Sequence, residues 1–183
     1  GDVLQKNGDP QGAIKSYKEA LRIKPDFAEV YYNIGNILRD QSDFDTAIEH
    51  YKNALKFNSE YVEVFNNLGT ALKDKGDFYS AIINYEEALR IKPDFVEAYN
   101  NMGNTFQENG DFFDGLKAFK NALRLKPDYL EAHYNIGTLF WHLGEVESSI
   151  GSYQDAIRLR PNFVDAWNNI CLLYTSPSPR DGR

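Results

Sequence analysis

Residues 62–95 read VEVFNNLGTALKDKGDFYSAIINYEEALRIKPDF. Val64, Phe65, Leu68, Ala71 and Leu72 recur at the i, i+3, i+4, i+7 spacing of a helix with one apolar stripe. Lys75-Gly76-Asp77 then interrupts the pattern, and glycine after a helix readily takes the left-handed conformation that ends it. A second stripe, Phe78, Ala81, Ile82, Tyr85, Ala88 and Leu89, has the same period and stops before Pro93. The stretch predicts helix A, a short turn, helix B and a proline-marked stop.

The plan recurs every 34 residues in both directions. Gly1, Gly35, Gly69, Gly103 and Gly137 form one column, and Gly8, Ser42, Gly76, Gly110 and Gly144 another. Small residues recur at Ala13, Ala47, Ala81, Gly115 and Ser149, and alanine at 20, 54, 88, 122 and 156. Aromatic residues recur at Tyr17, Tyr51, Tyr85, Phe119 and Tyr153. Pro25, Ser59, Pro93, Pro127 and Pro161 mark the stops. Four units are complete, 28–61, 62–95, 96–129 and 130–163; residues 1–27 end an earlier unit, and 164–174 supply the helix A of a later one. Gly69 and Ala81 let two backbones approach, while Phe65, Leu68 and Tyr85 fill the space around them. One hairpin cannot bury both of its apolar faces, so neighbouring hairpins must stack into an all-α solenoid.

The pattern Tyr99, Met102-Gly103, Phe106, Gly110, Gly115, Phe119, Ala122 and Pro127 resembles a tetratricopeptide repeat, and the resemblance extends over residues 1–170. Ser42, Ser59, Gly115 and Ser149 depart from the usual residues but are small or compatible with turns. The resemblance implies a right-handed α-α superhelix whose A helices line a concave groove. It also implies a protein-interaction scaffold that takes an extended peptide or a partner helix.

Composition narrows the function classes. The 183 residues carry a net charge of −7 with no dense basic block, which argues against nucleic acid and anionic membrane as partners. The longest apolar run, from Ile170 to Tyr174, is far too short to cross a bilayer. Cys171 is the only cysteine, so no intrachain disulfide forms, and an intracellular, cytoplasmic setting is the expectation. Gly1 with no charged and apolar leader predicts no signal peptide, and the array reads as a window cut from a longer one. His50, His133 and His142 are scattered without metal-ligand spacing, and no phosphate-binding glycine loop occurs. The segment is expected to be no enzyme and to need no metal or cofactor.

Helix A carries the candidate binding positions. Asn33, Asn67, Asn101, Asn135 and Asn169 repeat without exception at mid-helix, where asparagine is a mediocre helix former. A side-chain amide offers two donors and one acceptor, so a ladder of them could hold a peptide backbone with little regard to its side chains. The column resembles the asparagine ladder in the repeat domains of O-linked N-acetylglucosamine transferases. Hydrogen bonding between neighbouring repeats is the competing reading. Tyr32, Asn66, Asn100 and Tyr134 lie beside the ladder, followed by Asn36, Thr70, Asn104 and Thr138, and then by Arg39, Lys73, Gln107 and Trp141. Trp141 and Tyr134 fall outside the expected packing columns and are the candidate aromatic anchors. Tyr32, Asn66, Asn100 and Tyr134 include no cation, which disfavours a clamp for acidic chaperone tails.

Two charged columns read as structural. Asp26, Glu60, Asp94, Asp128 and Asn162, each followed three residues later by Glu29, Glu63, Glu97, Glu131 or Asp165, resemble capping boxes at helix A. Arg22, Lys56, Arg90, Arg124 and Arg158 complement the C-terminal ends of the B helices. The register is lost at Cys171, where glycine is due, and 175–183 reads as a disordered Ser-Pro tail or as translated adapter sequence. The missing helix B leaves parts of Trp167, Ile170 and Leu173 exposed by expectation. A reading of another class makes the array the substrate-presenting arm of a larger glycosyltransferase whose catalytic domain lies elsewhere.

Overall fold

The computed structural model describes residue 1 and residues 8–175, which form ten helices and no strand. In order they are α1 (Pro10–Ile23), α2 (Ala28–Asp40), α3 (Phe44–Phe57), α4 (Val62–Asp74), α5 (Phe78–Ile91), α6 (Val96–Asn109), α7 (Phe112–Leu125), α8 (Leu130–His142), α9 (Val146–Leu159) and α10 (Val164–Thr175). The even-numbered helices are the A helices of the repeat. Thr175 belongs to α10, its hydroxyl donating to the Cys171 carbonyl, so helix runs one residue beyond the expected boundary. The expected tail at 176–183 lies outside the described residues.

The helices fall into two compact units, Gly1–Pro93 with α1 to α5 and Asp94–Arg183 with α6 to α10. In the first, α2 pairs with α3 and α4 with α5, while α3 packs on α4. In the second, α6 pairs with α7 and α8 with α9, while α7 packs on α8 and α9 on α10. Each A–B hairpin closes around the small columns. Ala47, Ala81, Tyr51 and Tyr85 are fully buried in the first unit, as are Phe119, Tyr153 and Ala156 in the second. The helix A glycine faces the helix B aromatic ring in every complete repeat, and a Cβ on Gly35, Gly69 or Gly137 would lie 2.6–2.7 Å from Tyr51, Tyr85 or Tyr153. Where serine replaces alanine at 149, its buried hydroxyl donates to the Gly137 carbonyl at 2.7 Å.

The A-to-B turns use the left-handed conformation at Ser42, Gly76, Gly110 and Gly144, with φ between 61° and 89°. In each, the next residue's N–H returns to a carbonyl of the last helical turn: Asp43 to Leu38, Asp77 to Leu72, Asp111 to Phe106 and Glu145 to Phe140, at 2.8–2.9 Å. This is the Schellman closure, and it satisfies a carbonyl that the helix end would leave unpaired.

Two expectations are corrected. The capping boxes at helix A do not form: α2, α4, α6 and α8 are entered through Phe27, Tyr61, Phe95 and Tyr129 with no side-chain cap bond. The caps stand at helix B instead, where Asp9, Asp43 and Asp77 accept from the N–H groups of Gly12, Thr46 and Ser80. Ile170, expected to be partly exposed, is buried at 7% exposure against Tyr153 and Ala166, whereas Trp167 is 49% exposed, in line with the expectation for it. Its indole N–H donates to the Pro161 carbonyl, as the Tyr31 hydroxyl does to Pro25.

Candidate peptide-binding face

Side chains on the A helices fall into three classes by what already occupies them. The first class holds the repeats together. Asn67 donates to the Tyr32 hydroxyl at 3.2 Å and to Asn36 Oδ1 at 2.9 Å, reaching from α4 back to α2. In the second unit Asn135 donates to Asn100 Oδ1 at 3.0 Å, and Asn169 to the Tyr134 hydroxyl at 3.1 Å. Asn67, Asn135 and Asn169 thus bond about one period back, to the column that precedes their own, and Asn67 also to Asn36 in a column that follows it. Asn33 lines an open cleft of about 470 Å³ with Ser16, Tyr17 and Glu29.

That preceding column is less open than the sequence suggests. Asn66 and Asn100 are 8% and 6% exposed, and Asn66 Nδ2 donates to Asn67 Oδ1 at 3.2 Å. Tyr32 packs against Tyr51 and Tyr61. Tyr134 packs against Tyr153 and Phe163, with ring centroids 5.5 and 5.1 Å away, and borders the buried cluster of Tyr153, Ala166 and Ile170. The expectation that Tyr134 stands outside the packing columns is therefore corrected: one step of about 100° from the ladder turns its ring into the next repeat.

The second class anchors the helix B tyrosines. The Tyr51 hydroxyl donates to Asn36 Oδ1 at 2.8 Å, and the Tyr85 hydroxyl to Thr70 Oγ1 at 3.3 Å. Tyr153 and Thr138 share a bond at 3.1 Å. Thr70 and Thr138 also donate to the carbonyls four residues back, Asn66 and Tyr134. Burial raises the pKa of the Tyr51 and Tyr153 phenols, keeping them neutral donors. One turn on, Arg39 and Lys73 pair with the acids next to them, Asp40 at 3.2 Å and Asp74 at 3.1 Å.

The third class has no side-chain partner. In the third repeat the aromatic is Phe119, which has no hydroxyl, and the Asn104 amide fifteen residues before it makes no bond. Gln107 Oε1 is enclosed without a donor, an arrangement that typically costs about 1–3 kcal/mol. The indole of Trp141, partly exposed on α8, makes neither a ring contact nor a hydrogen bond among the described residues. The signal for the free Asn104 amide is present in the aromatic column, where Phe119 is the one residue that is not tyrosine. Ring size alone, which defines that column in sequence, does not reveal it. Gln107 stands in its sequence column with no signal that sets it apart.

Among the described residues no three His, Cys, Asp or Glu side chains group to hold a metal, and no helix is long and apolar enough to cross a membrane. The pattern of the TPR repeat matches residues 1–38, 35–76 and 69–110, and that of the tetratricopeptide repeat matches 100–162. The chain belongs to the tetratricopeptide repeat family. Its fold class is accordingly the all-α helical-repeat superhelix. The solved structure of MamA is similar to it, with 22% identity, a TM-score of 0.80 and coverage of 90% of this chain and 96% of that one. YrrB, described as a TPR protein with an unusual peptide-binding site, gives 22%, 0.74, 92% and 87% in the same terms. TTC0263, a thermophilic TPR protein of Thermus thermophilus, gives 19%, 0.76, 95% and 95%. No curated protein matches the sequence.

Proposed function

We propose that this tetratricopeptide chain is a non-catalytic interaction scaffold that takes an extended peptide segment on its A helices. One observation carries the reading. The column of helix B rings at Tyr51, Tyr85, Phe119 and Tyr153 is fully buried in packing, whereas the A helices present partly exposed amides and hydroxyls and the Trp141 indole in successive turns. An amide supplies both the donor and the acceptor that a peptide backbone needs, so a row of them suits main-chain recognition. The description of YrrB as peptide-binding supports the same class of ligand for this fold. The inter-repeat bonds of Asn67, Asn135 and Asn169 use amide protons, so these residues stiffen the face as well as lining it.

The test is hydrogen exchange with a bound peptide. Random twelve-residue peptides are panned on phage against the full chain, and the tightest binder is added at saturation. Added protection is expected on segments of α2, α4, α6 or α8 and not on the outer turns of α5 or α7. Protection confined to the B helices, or no selectable peptide, would sink the proposal.

A further inference from the structure

We infer that peptide binding on this face is anchored in the second unit, at Asn104, Gln107 and Trp141, and that the segment bound there is neutral or basic. The inference rests on the peptide-scaffold reading above and narrows it to one place. Along the two columns that follow the ladder, Asn36, Thr70, Thr138, Arg39 and Lys73 already have side-chain partners. Asn104, Gln107 and Trp141 have none among the described residues. Asn104 and Gln107 stand three residues apart on α6, on one helical face. Trp141 occupies the Gln107 position one repeat later, on α8, and α6 and α8 touch.

The cause is a single ring. Tyr51, Tyr85 and Tyr153 each place a hydroxyl on the residue fifteen positions earlier. Phe119 fills the same buried space without one, so Asn104 keeps both lone pairs of its Oδ1 and both amide protons. An extended segment offers alternating N–H and C=O groups to such an amide. Gln107, one turn on, adds a second side-chain amide whose Oε1 has no donor. The Trp141 indole supplies a flat apolar surface and a free N–H for a side chain of that segment.

Charge selects the segment further. Neither α6 nor α8 contains lysine or arginine, whereas Glu97 lies seven residues before Asn104 and Glu131 stands in the first turn of α8. In the first unit the corresponding edge carries Arg39 and Lys73, each neutralised by its own aspartate. An acidic peptide would meet repulsion at α6 and α8, and a lysine- or arginine-flanked one attraction.

The experiment measures the fluorescence-polarisation affinity of the panned twelve-residue peptide for the full chain and three variants. Trp141→Ala is expected to weaken binding by about 30-fold, as loss of a central aromatic anchor does. Asn104→Ala is expected to weaken it by about tenfold, one charge-free amide serving two backbone groups. Phe119→Tyr restores the hydroxyl that the other complete repeats carry, should keep the fold, and is expected to cost about fivefold by occupying Asn104. Selected peptides should be neutral or carry net positive charge. Tight binding that Asn104→Ala and Phe119→Tyr leave unchanged, or selection of acidic peptides, would overturn this assignment while leaving the scaffold reading in place. Failure to select any peptide would overturn both.

Discussion

A Cβ on Gly69 would stand 2.7 Å from the Tyr85 ring, which is fully buried and bonded through its hydroxyl to Thr70. The ring cannot swing away without losing that bond, so the backbone must move instead. Gly69→Ala is expected to destabilise the chain by about 1–3 kcal/mol, read as a lower urea midpoint at unchanged slope. An unchanged midpoint would mean that the hairpin is looser than this contact implies. At this scale the sequence was legible wherever a residue's role is set by size. The glycine column, the small residues and the aromatic column all stand where the period places them. Roles set by a partner 31 or 35 residues away were not legible. Asn67 looks the same in sequence whether it faces a ligand or reaches Tyr32 and Asn36. Tyr134 likewise reads as a free aromatic until Phe163 is seen beside it.

At the scale of the helix, two acidic columns look equally suited to capping, and only one caps. Asp77 accepts from the Ser80 N–H at 3.1 Å at the start of α5, whereas α2 is entered through Phe27, the residue after Asp26, with no side-chain cap bond. The reason is where the chain turns. The interval between helix B and the next helix A is long enough that the aromatic residue, not the acid, sits at the boundary and packs inward. Asp77→Ala is therefore expected to cost about 1 kcal/mol and Asp26→Ala a few tenths at most, compared by thermal or denaturant unfolding. Equal losses would restore the capping-box reading. Spacing alone could not separate these columns, because each has an acid three residues before a polar or acidic position. Asp111 shows the limit even among helix B caps: Asn109 Nδ2 holds its carboxylate at 2.6 Å, and α7 has no side-chain cap bond.

For the whole molecule, the buried tyrosines make stability depend on alkaline pH. Burial, reinforced by nearby acids, pushes the Tyr61 and Tyr129 hydroxyls up to about 12, and burial also raises those of Tyr51 and Tyr153. An unfolded tyrosine ionises near pH 10, so between about 10 and 12 the unfolded chain releases protons that the folded chain retains. The contribution is complete below pH 10 and is lost as pH rises through the folded values. Denaturant midpoints are expected to hold up to about pH 9 and fall steeply by about pH 11.5, together with a step in tyrosinate absorbance on unfolding. A flat midpoint over that range would contradict the enclosure of these phenols. The helix order and the turn positions of the described residues could be read from the period, because they follow from local pattern. The distribution of free and occupied polar groups along the A helices could not, because it depends on pairs of residues in different helices.

That distribution is the centre of the account, and one measurement addresses it most directly. Isotope-filtered NOE spectra of the full chain bound to the panned peptide register which protein protons lie close to peptide protons. The account expects contacts from peptide backbone protons to the Asn104 side-chain amide and from a peptide side chain to the Trp141 indole. Contacts running instead to the exposed helix B rings of Tyr79 or Phe113, with none to Asn104 or Trp141, would contradict it.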